Sequence, residues 1–186
     1  MKWIKLDENN TSIKEEKEKI EGITILGIDL NSSIMNEINS CSSLKELSIK
    51  NCFIESNNIQ GENIECIYLE NSLLTDLDVI NRCNNINTLY LKNMKKIYLK
   101  EIYALKQLKT LCISNTPVED QEYLIELDKI EKLDISHSSI TDITPLIHNQ
   151  TLKILMMDEI QYKNNKDYLK EFTNVLIVDE NGDKYE

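Results

Sequence analysis

Apolar residues recur along this chain in one pattern that repeats every 20–24 residues. Counting the first apolar residue of a repeat as offset 1, apolar side chains stand at offsets 1, 4, 6 and 11. Offsets 4 and 6 alternate with polar residues, which predicts a half-buried β-strand in each repeat. Seven frames begin at Ile20, Leu44, Ile64, Ile86, Leu108, Ile130 and Leu152, and a degenerate eighth begins at Phe172.

The near-constant period predicts a stacked, repetitive fold. One repeat cannot bury its apolar side alone, so neighbouring repeats must supply each other's core. One strand per repeat, running in a common direction, predicts a parallel sheet of about eight strands, with short helices or irregular turns returning the chain on the other side. The fourth frame departs from the pattern at offset 11, where Lys96 replaces an apolar residue, and we expect Ile97 to take its place.

The frame L-x-x-L-x-L-x-x-N-x-L resembles the leucine-rich repeats of bacterial internalin-like proteins, whose repeats have 22 residues. The resemblance covers about residues 20–180 and is strongest in residues 130–155. There Ile140, Ile143, Pro145 and Leu146 reproduce the family connector I-x-D-I-x-P-L. The resemblance implies an α/β solenoid, a right-handed horseshoe segment, whose concave sheet face binds another protein. Internalins carry export or wall-anchoring signals that we do not find here, so the fold and the binding mode are what carries over.

The segments outside the repeats are predicted to cap the open ends of the stack. Residues 1–19 form the N-terminal cap, 20–171 the repeats, and 172–186 a C-terminal strand or hairpin cap. In the first cap, Trp3, Ile4 and Leu6 suggest an edge strand, and residues 11–19 are helix-prone. Near the other end, residues 166–172 predict a helix with Asn165 as its N-cap, and Asn181 with Gly182 predicts a two-residue hairpin turn.

Composition and charge narrow the classes of partner. The net charge of −11 disfavours nucleic acid and anionic membranes, and a basic protein is the simplest electrostatic complement. The start of the chain lacks the apolar core of a signal peptide, and no segment is apolar enough to span a bilayer. The five cysteines follow no paired spacing, so we interpret them as reduced thiols in a cytoplasmic protein.

Side chains at offsets 3, 5 and 7 are predicted to face outward from the concave side of the sheet. Tyr68 and Tyr90 share offset 5 in adjacent repeats and should lie side by side, where tyrosines often serve as binding hot spots. The alternative is that both are present only because tyrosine suits strands. The candidate partner-binding residues are Tyr68, Tyr90, Glu70, Lys92, Glu46, Lys50 and Asp134.

Three other features are candidate surfaces. Apolar Ile154, Met156 and Leu176 fall on the same face, and we expect the terminal hairpin or helix to cover them. Residues 119–131 carry six acids and one lysine, which indicates either a solvated face or a docking patch for a basic partner. A polar ladder at offset 8 indicates either mutual hydrogen bonding or a contact rim; it comprises Asn51, Asn71, Asn93, Asn115 and His137.

No motif in the sequence indicates catalysis or a cofactor. There is no glycine-rich phosphate loop, no C-x-x-C pair and no H-E-x-x-H motif. Asp134, Ser136 and His137 lie close in sequence, but the histidine is predicted to leave the strand face and cannot stand between the other two. The chain ends before a calcium loop begun at Asp179 could be completed.

These observations favour a non-catalytic protein–protein interaction module that uses the concave face. A more specific hypothesis is an immunity protein that neutralises a basic bacterial toxin domain. The alternative is a substrate-recognition or regulatory accessory subunit for an enzyme on another chain. Whether the concave face or the acidic segment 119–131 is the binding surface stays open at this level.

Overall fold

Nine parallel strands form a single sheet in the computed structural model, which describes residues 2–54, 59–74, 77–80, 82–102 and 104–185, with backbone alone at 78 and 79. Within the described residues the strands lie in the order of the sequence. They are β1 (Lys2–Leu6), β2 (Ile20–Leu26), β3 (Glu46–Lys50), β4 (Cys66–Glu70), β5 (Thr88–Lys92), β6 (Thr110–Cys112), β7 (Lys132–Asp134), β8 (Ile154–Met156) and β9 (Leu176–Val178). The prediction of one strand per repeat in a parallel sheet is confirmed.

The core is made of the residues that alternate inward along these strands. Strands β3, β4 and β5 each show strict alternation of half-buried and buried residues. In register across them, Leu47, Ile67 and Leu89 are fully buried, as each is 0% exposed. Fully burying one such side chain contributes about 1.5–3 kcal/mol, so the columns at offsets 4 and 6 provide the main stabilisation of the stack.

The return segments lie on the core side of the sheet and are mostly single turns. The α-helices are α1 (Ser32–Asn39), α2 (Leu99–Ile102) and α3 (Glu159–Leu169). The 3₁₀ helices are Lys17–Lys19, Leu77–Ile80, Gln121–Glu126 and Thr144–Leu146. Helix α1 illustrates how they pack, because Asn31 caps its first turn and Met35 and Ile38 are buried in the core. The prediction of short helices and irregular turns is confirmed.

Each strand of the early and middle repeats ends in a residue with a left-handed backbone. The φ angles are 68° at Gly27, 54° at Asn51, 49° at Asn71, 52° at Asn93, 53° at Asn115 and 58° at His137, all at offset 8. Glycine adopts this conformation without strain, and asparagine tolerates it better than most residues. The pattern of offset 8 therefore reflects the turn that follows each strand. We call the chain at offsets 8–12 the turn rim.

Main-chain hydrogen bonds, and not side-chain ones, connect each offset-8 asparagine to the next repeat. The N–H groups of Asn51, Asn71 and Asn93 donate to the carbonyl oxygens of Glu70, Lys92 and Ser114 in the next repeat, at 3.0–3.2 Å. Among the described residues, no hydrogen bond joins the side chains of the offset-8 asparagines to each other. The prediction of mutual side-chain hydrogen bonding is therefore wrong, because backbone geometry selects these residues.

The N-terminal segment adds the predicted edge strand to the sheet. Strand β1 pairs in parallel with β2, and Ile4 and Leu6 join the core. The predicted helix in residues 11–19 is reduced to the 3₁₀ turn Lys17–Lys19. The physical reason is tertiary: Ile13 is buried, and its N–H donates to Glu37 Oε2 at 2.7 Å, which holds this part extended. The boundary at residues 19 and 20 stays a prediction.

The C-terminal helix begins earlier than predicted. Helix α3 starts at Glu159 with Asp158 as its N-cap, and Asp158 and Gln161 form a reciprocal capping box. Asn165 is buried within the helix, and its amide donates to Thr141 O at 3.1 Å, so its prediction as the N-cap is wrong. The side-chain amide of Gln161 also donates to Ile135 O at 2.9 Å, which satisfies the carbonyl group directly after strand β7.

The chain end folds back as predicted, but through a longer turn. Strand β9 is parallel to β8, and a single antiparallel bridge joins Val178 to Lys184 around the turn. Asp179 organises this turn: its Oδ1 accepts from the N–H groups of Asn181 and Asp183 at 2.9 and 2.8 Å. The Tyr185 hydroxyl then donates to Met157 O at 2.7 Å and the ring stacks on Tyr162, which ties down the end.

The left-handed residues give a test of the turn geometry. At Asn71, we expect glycine to be more stable than alanine by about 1 kcal/mol, because only alanine is strained at positive φ. Urea unfolding of Asn71→Gly and Asn71→Ala measures this difference. In the exposed helical residue Asn164 the order should reverse, with alanine about 1 kcal/mol more stable. If both positions favour alanine, the proposed origin of the offset-8 pattern is wrong.

Candidate partner-binding surface

Three rows of side chains project from the face of the sheet that points away from the core. The central row is set by strand register and runs across all nine strands of the described chain. It comprises Lys5, Thr24, Ser48, Tyr68, Tyr90, Cys112, Asp134, Met156 and Val178. Because the register is in phase across these strands, residues far apart in sequence form one continuous surface.

The centre of this surface is a pair of stacked tyrosines. Tyr68 and Tyr90 are register partners on β4 and β5, and their ring centroids lie 4.2 Å apart with an interplanar angle of 7°. Both side chains are half-buried. Burial and hydrogen bonding to Tyr90 raise the pKa of Tyr68 above its ordinary value, so the hydroxyl stays protonated. The pair offers a rigid apolar platform with neutral hydroxyl groups.

Charged side chains flank the tyrosines in the row at offset 7. Lys50 Nζ lies 2.8 Å from Glu70 Oε2, so Glu70 pairs with the preceding repeat. Lys92 is the register partner of Glu70 on the other side, as predicted, yet makes no ion pair among the described residues. Exposed ion pairs contribute only about 0–1 kcal/mol, so these groups can be redirected to a partner at little cost.

A hydrogen-bonded cluster continues the central row beyond Tyr90. Asp134 Oδ1 accepts from Ser136 Oγ at 2.7 Å, and Cys112 Sγ donates to Asp134 Oδ2 at 3.0 Å. Asp134 is only 9% exposed, and both oxygens of its carboxylate are engaged within this cluster. The sequence placed Asp134 on the correct face, but its carboxylate is engaged internally. Its role in partner binding stays a prediction.

The histidine that follows this cluster points elsewhere. His137 Nδ1 lies 3.7 Å from Asp158 Oδ2, and Nε2 lies 4.0 Å from Glu180 Oε1, both in later parts of the chain. It therefore does not stand between Ser136 and Asp134, as nucleophilic catalysis would require. Among the described residues, no cluster of three or more histidine, cysteine or acidic side chains could hold a metal ion.

Two solved structures with the same architecture are internalins from Listeria monocytogenes. Internalin C2 superposes with a TM-score of 0.65 and 18% identity, covering 87% of this chain and 71% of that protein. A second internalin, inlF, gives a TM-score of 0.58 and 16% identity, and this chain covers 54% of its length. The chain has the leucine-rich-repeat fold of the internalins. No protein-family model and no curated protein matches its sequence.

The horseshoe of this internalin-like fold carries apolar residues at both ends of its concave face. At the C-terminal end, Ile154 and Met156 are half-buried and Leu176 is 37% exposed, so the prediction that a hairpin or helix covers them is wrong. The terminal turn instead packs through Tyr185 over Tyr162.

None of the helices in the described part of the chain has the length and apolar character needed to cross a lipid bilayer.

At the other end of the concave face stands Trp3, which the sequence analysis assigned to an edge strand without placing it on this face. Trp3 lies so close over Gly22 that the methyl group of an alanine there would sit 2.3 Å from the indole, and the ring is still 46% exposed. The signal was present, because Ile4 and Leu6 occupy offsets 4 and 6 of a frame beginning at Met1. That frame places Trp3 at offset 3 on the concave face.

The acidic segment 119–131 is partly structural. Asp120 is buried, and its carboxylate accepts from the N–H groups of Leu99 and Lys100 at 2.5 and 3.1 Å, which caps α2. Glu131 forms ion pairs with Lys109 and Lys153, which lower its pKa. The remaining acids are exposed, so docking of a basic partner here stays a prediction.

The thiols on the concave face, those of Cys66 and Cys112, have raised pKa values and are therefore expected to be poor nucleophiles at neutral pH. Burial and the nearby Glu46 carboxylate raise the pKa of Cys66 to about 11, and burial and Asp134 raise that of Cys112 to about 11. Thiolate is the reactive form. At pH 8 we therefore expect half-buried Cys66 to react with iodoacetamide about a hundredfold more slowly than the same residue in urea.

Mass spectrometry of the alkylated peptides measures the rate at each cysteine. The rate at Cys66 should rise with pH up to about pH 11, since its folded pKa is raised. The raised pKa also means that thiolate formation destabilises the fold above about pH 9. Alkylation of native Cys66 at the unfolded rate would contradict the assigned burial and charge.

Proposed function

We propose that this chain is a non-catalytic protein-binding module whose concave sheet face holds its partner around Tyr68 and Tyr90. The observation that carries the proposal is the stacked, half-exposed tyrosine pair at the centre of the in-register surface. Stacking fixes both rings before a partner arrives, which reduces the side-chain entropy lost on binding. Tyrosines in this setting are common hot spots.

The surroundings of the pair suit a protein surface better than a small molecule. Lys50, Glu70 and Lys92 alternate in charge along the neighbouring row, which can match a partner's own charges. Glu46 adds a further carboxylate in the row at offset 3. Apolar Trp3 and Leu176 lie near the two ends of the face, so contacts can extend over its whole length.

The immunity hypothesis adds that the partner is a basic toxin domain. Its support is the net charge of −11, which would accelerate association with a basic protein. The alternative, an accessory subunit for an enzyme on another chain, uses the same concave surface with a different partner. Identification of the bound protein separates the two: a toxin supports immunity, and an enzyme supports the accessory role.

Affinity capture from a lysate of the source organism tests the concave site. We expect Tyr68→Ala/Tyr90→Ala to weaken binding of the captured partner by about 2 kcal/mol or more, roughly 30-fold, because the platform is lost. Calorimetry with the purified partner measures the change. The matched control is Tyr162→Ala/Tyr168→Ala, which removes two tyrosines of helix α3, outside both the concave face and the acidic segment 119–131, and should leave affinity unchanged.

Two results would count against this site. Equal affinity of the Tyr68→Ala/Tyr90→Ala protein for the same partner would remove the tyrosine pair from the interface. Equal loss in both double variants would indicate a general effect on folding, which urea unfolding of each variant measures independently. If the immunity hypothesis holds, co-expression with the toxin rescues growth, and the tyrosine variant fails to do so.

A further inference from the structure

Isolated main-chain bridges align the turn rim between some neighbouring repeats. They join Leu30 to Ile54 and Phe53 to Leu73 across the first three repeats, and Ile97 to Val118 across the fourth and fifth. Within the described residues no such bridge joins the third repeat to the fourth, nor the fifth to the sixth or the sixth to the seventh. Between the third and fourth repeats the buried residue of the rim also changes its offset, so the stack has a local fault there.

A single-residue shift in the fourth repeat accounts for the fault. The inward apolar residue stands at offset 11 in the second repeat, as Ile54, but one position later in the fourth, as Ile97. Both are buried, at 1% and 2% exposure. Lys96 at offset 11 is consequently turned outward, while Leu74 at offset 11 of the third repeat is left only half-buried. The turn rims of the third and fourth repeats therefore separate at this point.

A cavity of about 380 Å³ lies between the turn rims of the third and fourth repeats. Leu74, Leu77 and Met94 provide its apolar wall, and Lys95, Lys96 and Tyr98 also line it. Glu101 also lines it, but its carboxylate accepts from the Leu77 N–H at 3.2 Å and is thereby engaged in holding the wall. The volume is at the lower end of the range for ligand pockets, and suits one large apolar side chain.

The mouth of the cavity is basic, in contrast to the acidic chain. Residues 92–100 contain four lysines and no acid, whereas the net charge is −11. Lys96 Nζ donates to the Tyr98 hydroxyl at 2.9 Å, and Lys96 and Lys100 lie 4.9 and 4.8 Å from the centre of its ring. The Tyr98 hydroxyl and the nearby charges of Glu119 and Glu101 raise the pKa of Lys96, whereas Asp120 is buried and engaged in capping α2.

We propose that this cavity binds an acidic peptide segment of a partner protein. One aromatic or branched aliphatic side chain of the segment inserts between the third and fourth repeats, against Leu74, Leu77 and Met94. Carboxylates on either side of it pair with Lys95 and Lys96. Charge complementarity selects this occupant, because exposed lysines at the mouth favour carboxylates and the wall favours an apolar anchor.

The surface beyond the cavity favours a peptide over a small acidic metabolite. Leu73 and Phe53 are 51% and 43% exposed and adjoin each other through the rim bridge, so an apolar strip continues from the mouth. A single small molecule would leave this strip uncovered, whereas an extended segment can follow it. The site lies at offsets 9–14, away from Tyr68 and Tyr90 at offset 5, and is independent of the concave face.

The probe is an N-acetylated, C-amidated peptide of sequence Asp-Glu-Phe-Asp-Glu, titrated into the ¹⁵N-labelled full chain. We expect amide shifts at Leu73, Met94 and Lys95, with Tyr68 and Tyr90 unchanged. The variant Lys95→Glu/Lys96→Glu should weaken binding about tenfold, because two ion pairs become repulsions. The control Lys166→Glu/Lys170→Glu makes the same change of charge on the exposed part of the last helix and its end, and should bind normally.

Two further probes test whether an apolar anchor is needed and whether a small acid could bind in place of the peptide. A peptide with serine in place of phenylalanine should bind at least tenfold more weakly, and 3-phenylpropanoate should bind more weakly than the parent peptide. Equal weakening by both pairs of lysine variants, or equal binding of the serine peptide, would indicate non-specific charge attraction and overturn the proposal. Equal affinity for 3-phenylpropanoate would assign the cavity to a small acid. Amide shifts confined to the concave face during the peptide titration would also overturn the proposal.

Discussion

The main-chain ladder at the end of each strand holds this fold in register. A residue with positive φ at offset 8 turns the chain away from the sheet, and its N–H donates to the next repeat at offset 7. In Asn51, Asn71 and Asn93 the same geometry is repeated, so successive strands cannot slip relative to each other. A slip of one residue would exchange the buried and outward faces of a strand. The buried leucine and isoleucine columns and the outward rows therefore depend on this one constraint.

The constraint explains how a repetitive core can carry particular surfaces. Where the repeats remain in phase, side chains at one offset meet, and Tyr68 stacks on Tyr90. Where one repeat shifts by a residue, as at Lys96 and Ile97, the rims separate and leave a cavity. Regularity thus generates an exposed platform on the sheet, and a single irregularity generates a recess at the edge. Repeat proteins tolerate both, because each repeat contacts mainly its neighbours.

The sequence was sufficient to predict the repeat frame, the parallel sheet and the adjacency of the two tyrosines. These features depend on short periodic patterns that are legible in single repeats. The burial of Asp134 was not predictable, because it accompanies hydrogen bonds with Cys112 and Ser136 that the repeat pattern does not specify. The early start of α3 was missed because its decisive signal, the capping pair Asp158 and Gln161, falls inside the expected repeat frame. Contacts between repeats decided the first of these, and a local capping signal decided the second.

The most direct measurement is a nuclear Overhauser spectrum of the tyrosine rings in solution. With ring centroids 4.2 Å apart, we expect strong cross-peaks between the ring protons of Tyr68 and Tyr90. Cross-peaks of either ring to the buried leucines Leu69 and Leu91, in the absence of ring–ring contacts, would mean that the register differs. The concave platform would then not exist in the form described.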